Sequence, residues 1–547
     1  MTGRRVAGLA SLTLATACAT TGGSLGAPSA FGSRREERVL VSSFSNIVAI
    51  AASQRSVFVA SPEAIAIYDR QFGAWQPPLA MRSPLFGGTL PIMAADPIEE
   101  GVWIATPGTV RFFRTGFDAA TDAIVPGTPD ALMFDRRNFV SGAYVHSGGQ
   151  WLLVSRTGAA LPVTPAMLPP PGSRQFATSL RDVFERYPSV RGFMGLLTRD
   201  ESLQTWPVSA GTLVADANEV WLGTRGGGVF KVDPLFNTSQ HVAYGLIERG
   251  VGAIALTADG VVVAGLGADG ARGGLTVASA DLQHFRWIEG SQARTFAGAR
   301  AHDIAVRGDA IWVATDRGLI RADLRRPADA RVWSAGNGLP TDQALSVAAS
   351  ATGVWVGTAR GVAFVTDSGS RATRDAASDV IAGGAPTRAL LLTGDTLWIG
   401  SERGLLLLRA ASADSAPRRV ALAADEPRLT RPIVALARSD SVVLVATEGD
   451  LMLIDPRAGR VLPRLDAVGA SALRGITCAA IDAHSIWLGG RGGLLVIDRA
   501  SGVHRLLADE SGIAGEVFAL RLDPAFAWIG TRDGLVRIRR TSGGLAP

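Results

Sequence analysis

The side chains that could carry chemistry in this chain are its histidines and arginines, and their spacing favours binding over catalysis. Six histidines are spread over 547 residues without the close spacing that metal ligands require. The glycine-rich segment GLGADG at 265–270 lies between two strand-like segments with no helix after it, unlike a phosphate-binding loop. We therefore expect no catalytic residues, no metal site and no cofactor.

An arginine recurs within two residues of a short apolar segment that ends in Gly-Thr or a variant of it. The six positions are Arg225, Arg317, Arg360, Arg403, Arg491 and Arg532. Turns at equivalent places in successive repeats lie on one face, so this arrangement predicts a cationic rim for an anionic ligand, such as a polysaccharide, a phosphate or an acidic protein surface. The alternative is that each arginine is solvated or serves only its own repeat.

These arginines belong to a repeat that runs through most of the chain. Trp312, Trp355 and Trp398 are spaced 43 residues apart, and each lies in a segment such as VWVGTARGVAFVTD. Eight copies carry the tryptophan, at 102–114, 151–163, 220–233, 311–324, 354–367, 397–410, 486–499 and 527–540. Three copies lack it, at 57–70, 261–279 and 442–455. A period of about 40–45 residues with four short strands per copy is typical of a β-propeller.

The eleven copies predict an all-β protein of about eleven four-stranded blades over residues 37–547. Eleven exceeds the usual four to eight blades, so two packed propellers are favoured over a single ring. The strand-like segment at 37–44 precedes the first copy, and the last copy lacks a fourth strand, so the N-terminal strand is expected to close the last blade. The tryptophans are expected to fill the space between blades.

One interruption lies near 164–215, where two copies are separated by more than one repeat. Ser179 and Asp182 predict the start of a short helix that Pro188 ends. This segment is interpreted as a divergent blade with a surface helix, as a hinge between two propellers, or as a functional loop.

The N-terminus has the features of an export signal. Arg4 and Arg5 precede a short apolar segment, and Leu14 to Cys18 reads LATAC, which resembles a bacterial lipobox. This resemblance implies a signal peptide at 1–17, a lipidated Cys18 and a flexible tether at 18–36. With Ala19 after the cysteine, we expect an anchor in the outer membrane, with the protein facing the periplasm.

The repeats at 354–367 and 527–540, and the connection AGNGLPTDQALSV at 335–347, resemble those of two-component regulator propellers. In that family the propellers form the periplasmic sensing half of membrane histidine kinases. The resemblance implies a free-standing lipoprotein form without a kinase region. The segments MLIDPRAGRVL and VIDRASGVHRL resemble turns of quinoprotein-like propellers, a group that includes a lipoprotein subunit of the outer-membrane assembly machinery.

These observations predict a non-catalytic, membrane-anchored binding, scaffold or sensor-like protein with a protein or polysaccharide ligand. Two alternatives remain: a periplasmic lyase or hydrolase with a site on the channel face, and an outer-membrane assembly factor. The formal net charge is +5, but the arginines are scattered and form no basic block, so no nucleic-acid partner is expected.

Overall fold

The computed structural model describes residues 38–80, 90–116, 120–138, 142–193, 197, 205–214, 218–267, 273–289, 295–296, 298–326, 329–367, 369, 372, 384–409, 418–420, 426–462, 470–507, 513, 515–541 and 544–545. The proposed signal peptide, Cys18 and the tether lie outside these residues. Within the described part of the chain, no helix is long and apolar enough to cross a membrane.

The described part of the chain folds into eleven antiparallel sheets, each a blade, and in nine of them strands A to D follow one another in sequence. The strands are rich in Val, Ile, Leu and Ala and are buried on both faces, as expected where each blade packs between two others. Because each strand reverses direction, the A–B and C–D turns lie at one end of a blade and the B–C turn at the other. The all-β propeller prediction is confirmed.

Seven blades form a closed ring in which the A strands surround a central channel. The A strand of blade 11 packs against that of blade 5 and closes the circle. The ring strands are, for blade 5, Val251–Leu256, Gly260–Gly265, Leu275–Ser279 and Phe285–Ile288; for blade 6, Ala301–Arg307, Ala310–Thr315, Gly318–Asp323 and Arg331–Trp333; for blade 7, Ala344–Ala349, Gly353–Thr358 and Gly361–Thr366; for blade 8, Thr387–Thr393, Thr396–Ser401, Gly404–Arg409 and Arg418–Val420; for blade 9, Ile433–Arg438, Val443–Thr447, Leu451–Asp455 and Arg460–Val461; for blade 10, Ile476–Ile481, Ser485–Gly490, Gly493–Asp498 and His504–Leu507; and for blade 11, Val517–Leu522, Phe526–Thr531 and Leu535–Thr541, with Gly544–Leu545 paired to its end.

The other four blades form a second unit in which blades pack in the order 4, 1, 2, 3. Its strands are, for blade 1, Ala49–Ala52, Ser56–Ala60, Ala64–Asp69 and Ala74–Ala80; for blade 2, Ile92–Ala95, Gly101–Thr106, Thr109–Arg114 and Ala120–Ile124; for blade 3, Pro129–Asp135, Ala143–Ser147, Gln150–Val154 and Ala160–Val163, with Arg174–Phe176 added beside strand A; and for blade 4, Val208–Leu213, Val220–Thr224, Val229–Asp233 and Thr238–His241. The structure therefore has two units, of seven and four blades.

A strand at the N-terminus closes the seven-blade ring, as the sequence predicted. Arg38–Val41, here called the closing strand, pairs antiparallel with strand C of blade 11, from Arg38 with Ile538 to Val41 with Leu535. Val39 and Val41 are buried in the cluster that joins blades 5 and 11. The four-blade unit is thus inserted between the closing strand and the rest of the ring.

The motif residues have clear packing roles. Six tryptophans of strand B are fully buried between blades, at positions 103, 221, 312, 398, 487 and 528. Several donate their indole N–H to a polar residue at the A–B turn, for example Trp528 to Asp523 Oδ2 at 2.6 Å and Trp398 to Thr393 Oγ1 at 2.7 Å. The glycine before the threonine lies against the next blade: a Cβ on Gly530 would come within 2.6 Å of Val251 Cγ1.

Blade 3 corrects one part of the repeat alignment. The copy at 151–163 was aligned with strands B and C, but Trp151 opens strand C and is only partly buried. Strand B of this blade is Ala143–Ser147, which lacks the motif. The count of eleven blades is unaffected, because the sheet still contributes one blade.

The segment after blade 3 contains the predicted helix. It spans Leu180–Arg186, and Ser179 and Asp182 form a reciprocal capping box at its start. Val183 and Phe184 pack on blade 4, so the helix covers one face of that blade. The short 3-10 helices of the chain are Pro165–Met167, Pro171–Ser173, Pro188–Phe193, Ala335–Asn337, Pro427–Thr430 and Ala470–Leu473.

Candidate functional site

The channel mouth at the B–C end of the ring is built on three identically constructed turns. In blades 6 and 7, Thr315 and Thr358 donate their hydroxyls to the glycine carbonyl three residues on, at 2.8 and 2.9 Å. The same oxygens accept the backbone N–H groups of Arg317 and Arg360, at 3.2 and 3.1 Å. Ser401 holds Arg403 in the same way in blade 8. Three consecutive blades therefore present an arginine from the same turn position.

We call Arg317, Arg360 and Arg403 the arginine crescent. All three are exposed. Arg360 and Arg403 make no ion pair or side-chain hydrogen bond with any residue that the structure describes. Exposed guanidinium groups without a protein partner are available to an anion at no cost of breaking an existing pair.

The other three predicted arginines are placed differently. Arg491 and Arg532 occupy the first position of their turns, and Arg491 lies 4.0 Å from Glu516. In blade 11 the position equivalent to the crescent is held by Asp533, which pairs with Arg249 at 2.8 Å. Arg225 lies in the four-blade unit, beside the linker residue Asn46. The structure thus brings together three of the six arginines on consecutive blades of one mouth.

Inside the crescent, the mouth is lined by the side chain of the second residue of strand A, where the pairing with strand B is irregular. In all seven ring blades the pairing of strands A and B skips this residue, which is the geometry of a β-bulge. The bulged residues that line the channel are His302, Arg388, Val434, Thr477 and Phe518. Arg388 lies 3.2 Å from Glu402, and Arg300 lies over the ring of Phe518 at 5.7 Å.

The channel behind this mouth is a cavity of about 470 Å³, lined by the A strands of all seven ring blades. Asp303 of blade 6 accepts from Arg521 of blade 11 at 3.0 Å and from the backbone N–H of Val347 at 3.0 Å. Burial raises the pKa of Asp303, although Arg521 opposes the rise. Burial also raises the pKa of Cys478, to about 12, so this channel thiol is not a reactive nucleophile.

The mouth lacks an acid–base pair in the described part of the chain. Burial lowers the pKa of His302, and its Nε2 has no hydrogen-bond partner there. The one close histidine–carboxylate contact, His146 Nδ1 with Asp130 at 2.5 Å, lies on blade 3, outside the ring. Among the described residues, no group of three or more side chains could hold a metal ion. Among the described residues, the mouth therefore presents exposed cations but no close histidine–carboxylate pair.

Sequence reasoning found the crescent but missed the channel residues. Strand A was identified by its alternating apolar residues, and alternation does not reveal which residue is bulged. His302 and Arg388 share a detectable signal, since each is a polar residue at the second position of a strand that is otherwise largely apolar.

Comparisons with known proteins give similarities of fold. No family model and no curated protein matches the chain. Among solved structures, PorZ of the Porphyromonas gingivalis type-IX secretion system is 13% identical over 90% of this chain and 68% of its own, with a TM-score of 0.44. Virginiamycin B lyase from Staphylococcus aureus is 12% identical over 53% of this chain and 95% of its own, with a TM-score of 0.42. The extracellular domain of a hybrid two-component system from B. thetaiotaomicron is 12% identical over 91% of this chain and 70% of its own, with a TM-score of 0.31.

Proposed function

We propose that this protein is a non-catalytic binding propeller of the bacterial cell envelope, anchored through a lipidated Cys18 in the outer membrane and facing the periplasm. Its ring mouth binds an anionic ligand, a polysaccharide or an acidic protein surface, through the arginine crescent. The observation that carries this proposal is the repeated turn that displays Arg317, Arg360 and Arg403 from three consecutive blades, with Arg360 and Arg403 unpaired among the described residues.

The opposite end of the ring provides the contrast that supports a binding role. There, Arg307 pairs with Asp367 and Arg540 with Asp482, in each case on a neighbouring blade. These arginines hold blades together, whereas Arg360 and Arg403 of the crescent make no ion pair with any residue that the structure describes.

Replacing Arg317, Arg360 and Arg403 together with alanine tests the proposal on the full chain. The probe is alginate, a polyuronate, with uncharged dextran as the reference polymer. Each exposed charge pair contributes about 0.5–1 kcal/mol, so we expect the triple variant to bind alginate about 10- to 100-fold more weakly with an unchanged unfolding transition.

The matched control replaces Arg325, Arg326 and Arg409, which are exposed at the other end of blades 6 and 8. It removes the same charge, so an equal loss of alginate binding in both variants would show attraction by net charge alone and would overturn the assigned site. Unchanged binding in the crescent variant would also overturn it.

A further inference from the structure

Exposed apolar side chains are concentrated in the four-blade unit. Nine of the twelve large hydrophobic residues that are exposed in the described chain lie there, although this unit holds only four of the eleven blades. They are Phe72, Leu90, Ile98, Ile124, Leu161, Met167, Phe176, Leu235 and Phe236. Exposed apolar surface gathered on one part of a molecule indicates a contact with another apolar phase.

Four of these residues lie at turn tips on one end of the unit. Phe72 and Phe236 are 71% and 79% exposed, in the C–D turns of blades 1 and 4. Leu235 precedes Phe236, and Ile98 lies in the A–B turn of blade 2. The A–B and C–D turns share one end of each blade, so all four tips point from the same end of the unit, called here the apolar end.

Contacts between blades confirm that these turns are side by side. Arg70, two residues before Phe72, lies 3.1 Å from Glu219 in the A–B turn of blade 4. Ser53 Oγ, in the A–B turn of blade 1, donates to Glu100 of blade 2 at 2.7 Å. The apolar tips therefore project from a continuous surface that spans blades 4, 1 and 2.

Charged groups of both signs surround the apolar tips. Some acidic groups pair with cations, for example Glu99 with Arg114, whereas Asp233, beside Leu235, has no ion pair among the described residues. Arg136 and Arg137, in the A–B turn of blade 3, are exposed and have no ion-pair partner among the described residues. Apolar tips beside unpaired cations match the interface of a bilayer, where acyl chains lie beneath phosphate headgroups.

The closing strand brings the start of the described chain beside the four-blade unit. This strand, which begins at Arg38, contacts strand D of blade 1, Ala74–Ala80, and strand D directly follows the turn that carries Phe72. A random coil of about 20 residues spans about 25 Å. A lipid on Cys18, 20 positions before Arg38 in the sequence, would therefore be attached close to the apolar end.

The ring mouth lies away from this end. Arg249 contacts Glu63 in the B–C turn of blade 1 at 3.5 Å and Asp533 in the B–C turn of blade 11 at 2.8 Å. The B–C turns of the two units therefore meet at this residue, whereas the apolar tips lie at the A–B end of their unit. A membrane at the apolar end would leave the arginine crescent accessible.

We propose that the apolar end of the four-blade unit inserts Phe72, Ile98, Leu235 and Phe236 into the interface of an anionic membrane, fixing the orientation of the lipid-anchored protein. This proposal rests on the lipid anchor of the proposed function, but it is independent of what the ring mouth binds.

The test uses the full-length lipidated chain in vesicles of phosphatidylglycerol and phosphatidylethanolamine with brominated acyl chains. Phe72→Cys and Phe236→Cys variants carry a polarity-sensitive fluorophore, and the matched control is Pro107→Cys, exposed in the B–C turn at the opposite end of blade 2. We expect bromine quenching of the fluorophore at residues 72 and 236 to be several-fold stronger than at residue 107.

A parent chain without an introduced cysteine separates failure of the anchor from failure of the docking. Cys478 is only partly buried in the channel, so it is replaced by serine in the parent chain and in every labelled variant. Fluorophore incorporated into the parent chain would then report a free Cys18 and would overturn the anchor. Vesicle-bound chains with equal quenching at residues 72 and 107 would overturn the membrane docking. The fluorophores could instead be shielded from solvent in native membranes but remain unquenched in the pure lipid vesicles. This result would overturn the membrane docking in favour of a protein partner at the apolar end.

Discussion

At the scale of single residues, one ion pair inside the channel joins blades that are not neighbours. Asp303 of blade 6 and Arg521 of blade 11 are separated in the ring by blade 5, and Asp303 also accepts from the backbone of blade 7. The carboxylate keeps 23% of its side-chain surface exposed, yet desolvation by the surrounding A strands raises its pKa. This pair gives the stability of the ring a specific pH dependence.

We predict that Arg521→Met makes the free energy of unfolding fall more steeply as the pH rises above the unfolded-state pKa of an aspartate, about 3.9. The pKa of Asp303 is raised in the folded state, so the associated stability is complete below the unfolded value of about 3.9 and is lost as the pH rises through the folded value. Arg521 is the cation that limits the rise in the pKa of Asp303. Without it, the free energy of unfolding continues to fall up to a higher pH. Each further unit of pKa difference corresponds to about 1.4 kcal/mol.

Denaturant unfolding at a series of pH values measures this effect, and Arg521→Met combined with Asp303→Asn is the matched control. The double variant cannot ionise at position 303 and should lose the additional slope. If the single and double variants show the same pH dependence, Asp303 is not the titrating group.

At the scale of elements, a glycine governs how the closing strand meets blade 11. Gly534 has φ +149°, and a Cβ at this position would lie 2.2 Å from the carbonyl oxygen of Val41. Alanine there must both adopt an unfavourable backbone conformation and displace the closing strand. The motif places a glycine shortly after the threonine because strand C begins there, close to the backbone of a neighbouring strand.

We predict that Gly534→Ala destabilises the protein by about 3 kcal/mol or more, measured as the free energy of unfolding. The control is Gly308→Ala: Gly308 also has a positive φ, +58°, but has no atom within 4 Å of the added Cβ. This variant should cost about 1–2 kcal/mol, the backbone term alone. Equal losses at both sites would show that contact with the closing strand contributes nothing.

Much of this architecture was predictable from the repeat. The tryptophan and glycine positions gave the blade count, the unpaired strand at 37–44 gave the closure, and Ser179 with Asp182 gave the helix. The division into seven and four blades was not predictable, because blades of both units pack through the same kinds of residue. Ring size depends on which A strand meets Val251–Leu256, a contact between residues distant in sequence.

The candidate site was predictable only in part, for a local reason. The Thr-x-Arg-Gly pattern of blades 6 and 7 fixes both the turn and its arginine, so Arg317 and Arg360 could be identified directly. Arg532 directly follows its threonine, one position earlier than in this pattern, and Arg225 belongs to the four-blade unit. The sequence therefore predicted six arginines at the rim, of which three lie on consecutive blades of one mouth. Arg388 was missed because a bulge, and not the alternation of strand A, directs it to the mouth.

At the scale of the whole molecule, the four-blade unit is an insertion into a ring that is otherwise complete. The points of entry and exit are adjacent: Ser43 forms a β-bridge with Leu246, and Leu246 donates its backbone N–H to Ser42 at 3.0 Å. A short connection between these positions could replace the entire unit without moving the closing strand.

We predict that a chain in which residues 46–243 are replaced by a short glycine linker still folds and binds alginate within about threefold of the complete protein, less than about 1 kcal/mol. Binding and cooperative unfolding measure the outcome. A deletion chain that folds but no longer binds alginate would place the anionic site partly on the four-blade unit.

The closing strand has a mechanical consequence. Tension applied to the chain before Arg38 reaches the fold first through the four register pairs that join Arg38–Val41 to blade 11. Those pairs join positions 500 residues apart in sequence, Arg38 and Ile538, so losing them would remove the outer strand of blade 11 and expose the apolar cluster between blades 5 and 11. A pull from the envelope would therefore act first on the outer edge of blade 11, while the contact between the A strands of blades 5 and 11 would still hold the ring closed.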